Sequence, residues 1–167
     1  VAEMDNTTTG ITRRYIYAHH VPVAMIDYSF DRPAEQLLAV HADVQGAPRL
    51  VTDHQQRVRW HAHYTPLGQA RIVEDEVRMD LRLPGQVADP DTGWHDNLLR
   101  TYLPEWGHYL EPDPLGPVPG NQVFGYANQQ PRRYADPTGL LLFAFDGTRY
   151  SADTTGNPRV RLGTQWL

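Results

Sequence analysis

Short runs of apolar residues, each ending at turn residues, fill the first two-thirds of this chain. Thr12 to Tyr17, Val21 to Tyr28, Leu37 to His41, Pro48 to Thr52, Val58 to Tyr64 and Gln69 to Val73 are rich in β-branched and aromatic side chains. Asp43-Val44-Gln45-Gly46, Asp53-His54-Gln55-Gln56 and Thr65-Pro66-Leu67-Gly68 separate them as turns. Short strands at regular spacing predict an all-β fold of antiparallel hairpins. Pro22 limits its strand to an edge or an irregular path. Val77 to Leu83 alternates, with Val77, Met79, Leu81 and Leu83 on one face and Arg78, Asp80 and Arg82 on the other, which predicts a half-buried strand. Gly85 to Gly93 reads as a loop, and Leu98 to Leu103 and Tyr109-Leu110 as strands. Short helical turns are expected only over 33–38 and 124–129. There is no strict repeat, only a hairpin rhythm of roughly 20 residues.

The pattern changes after Leu140. Leu141 to Phe145 is continuously apolar, and Asp146-Gly147-Thr148 follows it. A fully apolar strand ending at a glycine turn is how many parallel α/β sheets begin. A domain boundary is therefore expected at Leu140/Leu141, with 1–140 as one domain and 141–167 as the start of another. An exposed run of this kind invites aggregation, so the segment is expected to lie as a strand in an apolar channel, with Phe143 and Phe145 covered.

Composition narrows the function classes. The 167 residues carry a formal charge of −5, which argues against a nucleic-acid footprint or a polybasic membrane patch. Without cysteine there is neither a disulfide nor a thiolate metal site. No segment approaches the ~20 apolar residues of a membrane-spanning helix. The chain begins at Val1 with a polar stretch behind it, and reads as a fragment of a longer protein. No nucleophile elbow, P-loop or dinucleotide fingerprint is present, and no cofactor is implied. His61 and His63 share one face of a strand, and His19-His20 and His41 are further histidines, but none stands at a recognised metal-ligand spacing.

Two Asp-Pro-x-Gly boxes stand out: Asp113-Pro114-Leu115-Gly116 and Asp136-Pro137-Thr138-Gly139-Leu140, with their aspartates twenty-three positions apart. Each box alone is a turn, because Asp caps it, Pro pre-sets φ and Gly suits its end. Their surroundings give them more meaning. Leu38 to Asp53, Trp60 with Tyr64-Thr65-Pro66-Leu67-Gly68, Leu81 to Gln86, Asp89-Pro90-Asp91-Thr92-Gly93, Asn97 to Tyr102, Gly107 to Gly116, and Asn121, Tyr126, Asn128 and Pro131 form an ordered series. This series, over about residues 11–140, resembles the C-terminal core of RHS/YD-repeat proteins.

The resemblance implies a β-hairpin shell that winds into a cocoon around a toxin. Such shells occur in polymorphic toxins, type VI secretion effectors and the C subunits of insecticidal toxin complexes. It implies an aspartyl autoprotease at the core's end, with Asp113 and Asp136 as the catalytic pair, Arg100 as the site arginine, and cleavage between Leu140 and Leu141. The implied partners are the chain's own C-terminal toxin domain and the rest of the shell, with a secretion spike protein, a chaperone and an immunity protein beyond them. The implied location is the bacterial cytoplasm before export, then the target cell. This chain departs from the family at Gly93-Trp94-His95-Asp96-Asn97, at Tyr102-Leu103-Pro104, at His108 and at Pro117. These changes touch packing and turns and leave Arg100, Asp113 and Asp136 in place.

The chemistry fits a carboxylate pair. Two aspartates close together do not both ionise easily, so one serves as base toward water and the other as acid. Two other readings stay open. The boxes are only turns in a non-catalytic scaffold, or the chain is a fragment of a phospholipase-type effector. The second rests on Leu142-Phe143-Ala144-Phe145-Asp146-Gly147-Thr148, which resembles the first strand of α/β-hydrolase-like effectors, and on Thr155 to Val160.

Overall fold

The computed structural model describes residues 2–4, 11–28, 36–116, 122–140, 143–144, 161–162 and 165–166. Among these the chain is all-β and antiparallel, with a single 3-10 turn as its only helical element. It forms two compact units: Val1–His63 with Arg71–Met79, and Tyr64–Ala70 with Asp80–Leu167.

The first unit is a sequential meander. Strands β1 (Ala2–Met4), β2 (Ile11–Ala18), β3 (Val21–Asp27), β4 (Gln36–Ala42), β5 (Pro48–Thr52), β6 (Val58–Tyr64) and β7 (Ala70–Asp75) lie side by side in chain order. Register sets the core. Tyr15 pairs with Met25, which pairs with Leu38, and Val40 pairs with Val51, which pairs with Trp60. All six are buried, because opposed residues share a face of the pleat. Pro22 lies beside a register shift in an interior strand, so the irregular path accommodates it. Gln36 to Leu38 belong to β4, not to a helical turn, because Leu38 is drawn onto the core face. The remainder of the expected 33–38 turn lies outside the described residues.

Two turns of this unit share one construction. Asp43 Oδ1 accepts hydrogen bonds from the N–H groups of Gln45 (2.9 Å) and Ala47 (3.0 Å), while Arg49 Nε donates to its Oδ2 (2.9 Å). Asp53 repeats it with the N–H groups of Gln55 and Arg57 on Oδ1 and Arg57 Nε on Oδ2. One carboxylate oxygen caps the turn and the other holds an arginine.

The second unit holds a sheet of β8 (Val87–Ala88), β9 (His95–Asn97), β10 (Arg100–Leu103) and β11 (His108–Tyr109), in spatial order β11-β10-β9-β8. The expected 85–93 loop thus contains a two-residue strand. After β11 the chain makes a turn over Ala127–Gln129 whose φ values are 48°, 52° and 58°, so it is left-handed. β12 (Tyr134–Ala135) pairs with β13 (Phe143–Ala144), and β14 (Arg161–Leu162) with β15 (Gln165–Trp166).

The stretch 77–83 is not a half-buried strand. Among the described residues it makes one isolated bridge, Leu81 to Val87, with Ala88 N bonded to Asp80 O and Arg82 N to Gln86 O beside it, and Val77 N donates to the Arg59 carbonyl of β6. Asp80 and Arg82 are buried along with the apolar positions. Arg82 Nη1 donates to the Leu81 carbonyl, while Arg78 stays exposed, so two of the three polar side chains turn inward.

Candidate functional site

Register gathers the site on one face of the second sheet. Asn97 pairs with Arg100 across the β9–β10 hairpin, and Tyr102 pairs with His95 on one side and Tyr109 on the other. Arg100 and Tyr102 are two apart on β10, so Asn97, Arg100, His95, Tyr102 and Tyr109 share a face. All five are buried. Tyr102, Tyr109 and Tyr126 form an aromatic floor with ring centroids 4.7 to 5.8 Å apart.

Arg100 is the hub. Its Nη2 lies 2.9 Å from Asp136 Oδ2 and 3.3 Å from Asp113 Oδ2. Both carboxylate oxygens touch one nitrogen, so they are within about 6 Å of each other (2.9 and 3.3 Å end to end). The three side chains are nearly water-free, at 2%, 9% and 6% exposure for Arg100, Asp113 and Asp136. Nη1 donates to the Val123 carbonyl (3.3 Å), which also accepts the Asp113 N–H (2.8 Å). The guanidinium carbon sits 3.7 Å from the centre of the Tyr109 ring, a cation–π contact.

The Asp136 turn is clamped onto this face. Tyr109 donates from its hydroxyl to Asp136 Oδ2 (2.9 Å), and Asn97 Nδ2 donates to the Asp136 carbonyl (2.8 Å) and to the Tyr109 oxygen (2.6 Å). Burial first, and the Asp136 charge second, push the Tyr109 hydroxyl far above the ordinary phenol range, so it keeps its proton and donates. A Cβ on Gly85 would meet Pro137 O at 2.0 Å, and one on Gly139 would meet Asn97 O at 2.8 Å. Only glycine lets the Asp136-Pro137-Thr138-Gly139 backbone approach this closely.

Beside this hub, His95 Nδ1 lies 2.8 Å from Gln86 Oε1. Burial, with the Arg82 charge second, holds its pKa down to about 3, so the ring is neutral and Nδ1 carries the proton given to Gln86. His95 packs on Tyr102 and has no contact with the aspartates among its hydrogen bonds.

The structure thus brings Arg100, Asp113 and Asp136 together and places Leu140 one residue beyond the clamped Gly139. Leu141, Phe145 and Asp146 to Val160 lie outside the described residues, as does Asn121. Tyr134 pairs with Ala144 and Ala135 with Phe143. The other sequence candidates do not gather. His41 contacts Thr52, and the His61 and His63 rings touch each other at 4.6 Å. Among the described residues no three acidic or histidine side chains are grouped to hold a metal. Sequence reasoning passed over Asn97 and Tyr109. A predicted register for the β9–β10–β11 hairpins would have found them, since it sets both on the Arg100 face.

Short antiparallel hairpins, two of them turned by an Asp–Arg pair, together with a buried Asp–Arg–Asp cluster, define an all-β hairpin protein. Comparison with solved structures agrees: the crystal structure of TcdB2-TccC3 aligns with a TM-score of 0.65 at 22% identity, over 83% of this chain and 7% of that one. No family model matches the chain. It is 35% identical to the double-stranded DNA deaminase toxin A of Burkholderia cenocepacia over 79% of its length and 10% of the relative's. It is 32% identical to the probable deoxyribonuclease RhsA of Dickeya dadantii over 60% of its length and 7% of the relative's. The chain belongs to the RHS family, as the core segment found in RHS-associated toxins. It spans about a tenth or less of the length of these two relatives.

Proposed function

We propose that this segment is the closing end of an RHS shell that encloses a toxin and cuts its own chain once, between Leu140 and Leu141. Residues 1–140 would be the shell end and residues from 141 the start of the toxin domain. The observation that carries this reading is the buried guanidinium of Arg100 touching both Asp113 and Asp136, next to the pairing of Ala135 with Phe143. One carboxyl takes a proton from water. The water oxygen adds to the Leu140 carbonyl carbon, the C–N bond breaks, and the other carboxyl protonates the departing amine of Leu141. Arg100 holds both carboxyls in place, and the β12–β13 pairing supplies the proximity that an intramolecular cut exploits. Two relatives named for different chemistries, a deaminase and a deoxyribonuclease, share this segment. A role common to both, such as holding and releasing a toxin, fits that pattern. Delivery to a target cell by a specialised secretion system, and dependence on a spike protein, a chaperone or an immunity protein, belong to the same proposal.

One observation favours a second reading. Asp113 Oδ1 accepts the Leu115 N–H at 2.9 Å, the same capping that Asp43 and Asp53 perform in ordinary turns. On that reading the cluster only staples the fold. Purified wild-type, Asp113→Asn and Asp136→Asn chains on a denaturing gel decide between them. Self-cleavage gives a short C-terminal fragment in the wild type alone. An intact wild-type chain, or the same fragment from all three, leaves the turn reading.

A further inference from the structure

We propose that Tyr109, oriented by Asn97, is a positioning residue that aims the Asp136 carboxylate for the cut. This inference rests on the proteolytic reading above and adds to it a residue outside the Asp–Arg–Asp set. A phenol oxygen has one hydrogen to give and lone pairs to receive. The Asn97 amide occupies a lone pair of the Tyr109 oxygen at 2.6 Å. The Tyr109 hydrogen is thereby directed to Asp136 Oδ2 at 2.9 Å. That oxygen also receives Arg100 Nη2 at 2.9 Å, so two donors from neighbouring strands fix one carboxylate oxygen. The same Asn97 amide holds the Asp136 carbonyl at 2.8 Å, tying side chain and backbone of this residue to one anchor.

Asn97 is fully buried and Tyr109 almost so, which leaves no water to replace either donor. The charged and titratable groups around Asp136 are Arg100 and Tyr109 from the sheet, Asp113 across the guanidinium, and Tyr126, whose ring packs against that of Tyr109. Tyr109 is the neutral donor to the carboxylate among them.

Tyr15 supplies the control. It lies in the first unit, pairs with Met25 and has a buried hydroxyl. Tyr15→Phe therefore removes a buried hydroxyl from a residue outside the cluster. The experiment compares wild type, Tyr109→Phe and Tyr15→Phe in the full chain by cleavage rate, thermal melt and ¹³C titration of the Asp136 carboxyl.

Tyr109→Phe is expected to slow cleavage about 10- to 100-fold, the effect of deleting one hydrogen bond to a charged group. It should also raise the Asp136 titration midpoint, since the anion loses a donor. Tyr15→Phe should leave both readouts within about twofold of wild type, since the two tyrosines lie in different units. Equal slowing in both variants, or an Asp136 midpoint that Tyr109→Phe does not move, overturns the inference. A wild-type chain that never cleaves overturns the proteolytic reading instead, and the titration still decides whether Tyr109 controls the carboxylate.

Discussion

Gly85→Ala is the sharpest probe of how the Asp136 turn is held. Gly85 closes the tight turn between Leu83 and Gln86 with φ at +84°. A methyl group there would stand 2.0 Å from the Pro137 oxygen, 2.5 Å from its carbonyl carbon and 2.7 Å from Asn97 Oδ1. Two penalties follow. The left-handed φ costs an L-residue about 1–2 kcal/mol. Backing the Asp136 turn away from the methyl adds about 1–3 kcal/mol, as for other overpacked interiors. The sum, about 2–5 kcal/mol, is a large part of a domain's stability. Gly93 separates the two, because its φ is +72° and nothing lies within 4 Å of a Cβ built there. Gly93→Ala should therefore show the backbone penalty alone. Urea unfolding of both variants checks this, and Gly85→Ala should be the worse by about 1–3 kcal/mol. Gly85→Ala proving no more destabilising than Gly93→Ala would refute the close approach of the turn to the sheet.

Further expectations can be checked with the same material. Arg100→Ala leaves two buried carboxyls facing each other without their cation, and should cost about 3–5 kcal/mol in urea unfolding as well as stopping cleavage. His95 has a pKa of about 3 in the fold against an unfolded value near 6.5, so unfolding takes up a proton between those limits. Its contribution is complete above pH 6.5 and declines as pH falls, by about 2 kcal/mol between pH 7 and pH 5. His95→Asn should flatten that part of the stability profile measured by denaturant titration. Leu98 stands at the β9–β10 hairpin tip with φ at 59° and 71% exposure. Leu98→Gly should stabilise the chain by about 0.5–1 kcal/mol in the same assay, the αL penalty relieved less the entropy of glycine.

Most of the first sheet was legible because its side chains obey the two-residue period and the turns after β4 and β5 carry the Asp that caps them. Tyr15, Met25, Leu38, Val51 and Trp60 fall on the core face by that rule. The stretch 77–83 obeys the same period and yet misleads. Asp80 and Arg82 are buried along with Met79 and Leu81, so alternation of polar and apolar residues does not separate the covered face from the exposed one here. The helical turn expected over 124–129 is present at Ala127–Gln129, but no glycine at those positions announces that it is left-handed. At the candidate site, Asp113, Asp136 and Arg100 were legible through the ordered motifs around them. Asn97 and Tyr109 were not, because what links them to Asp136 is cross-strand register, and register is set by hairpin loops such as Leu98-Leu99 whose composition gives no turn signal.

The proposed cut is tested most directly by intact-mass spectrometry of the purified wild-type chain. The account predicts two species, residues 1–140 and residues 141–167, whose masses together exceed the uncut chain by one water. It also predicts that Asp136→Asn gives only the uncut mass. A wild-type chain that stays whole after prolonged incubation, or that breaks at another peptide bond, contradicts it.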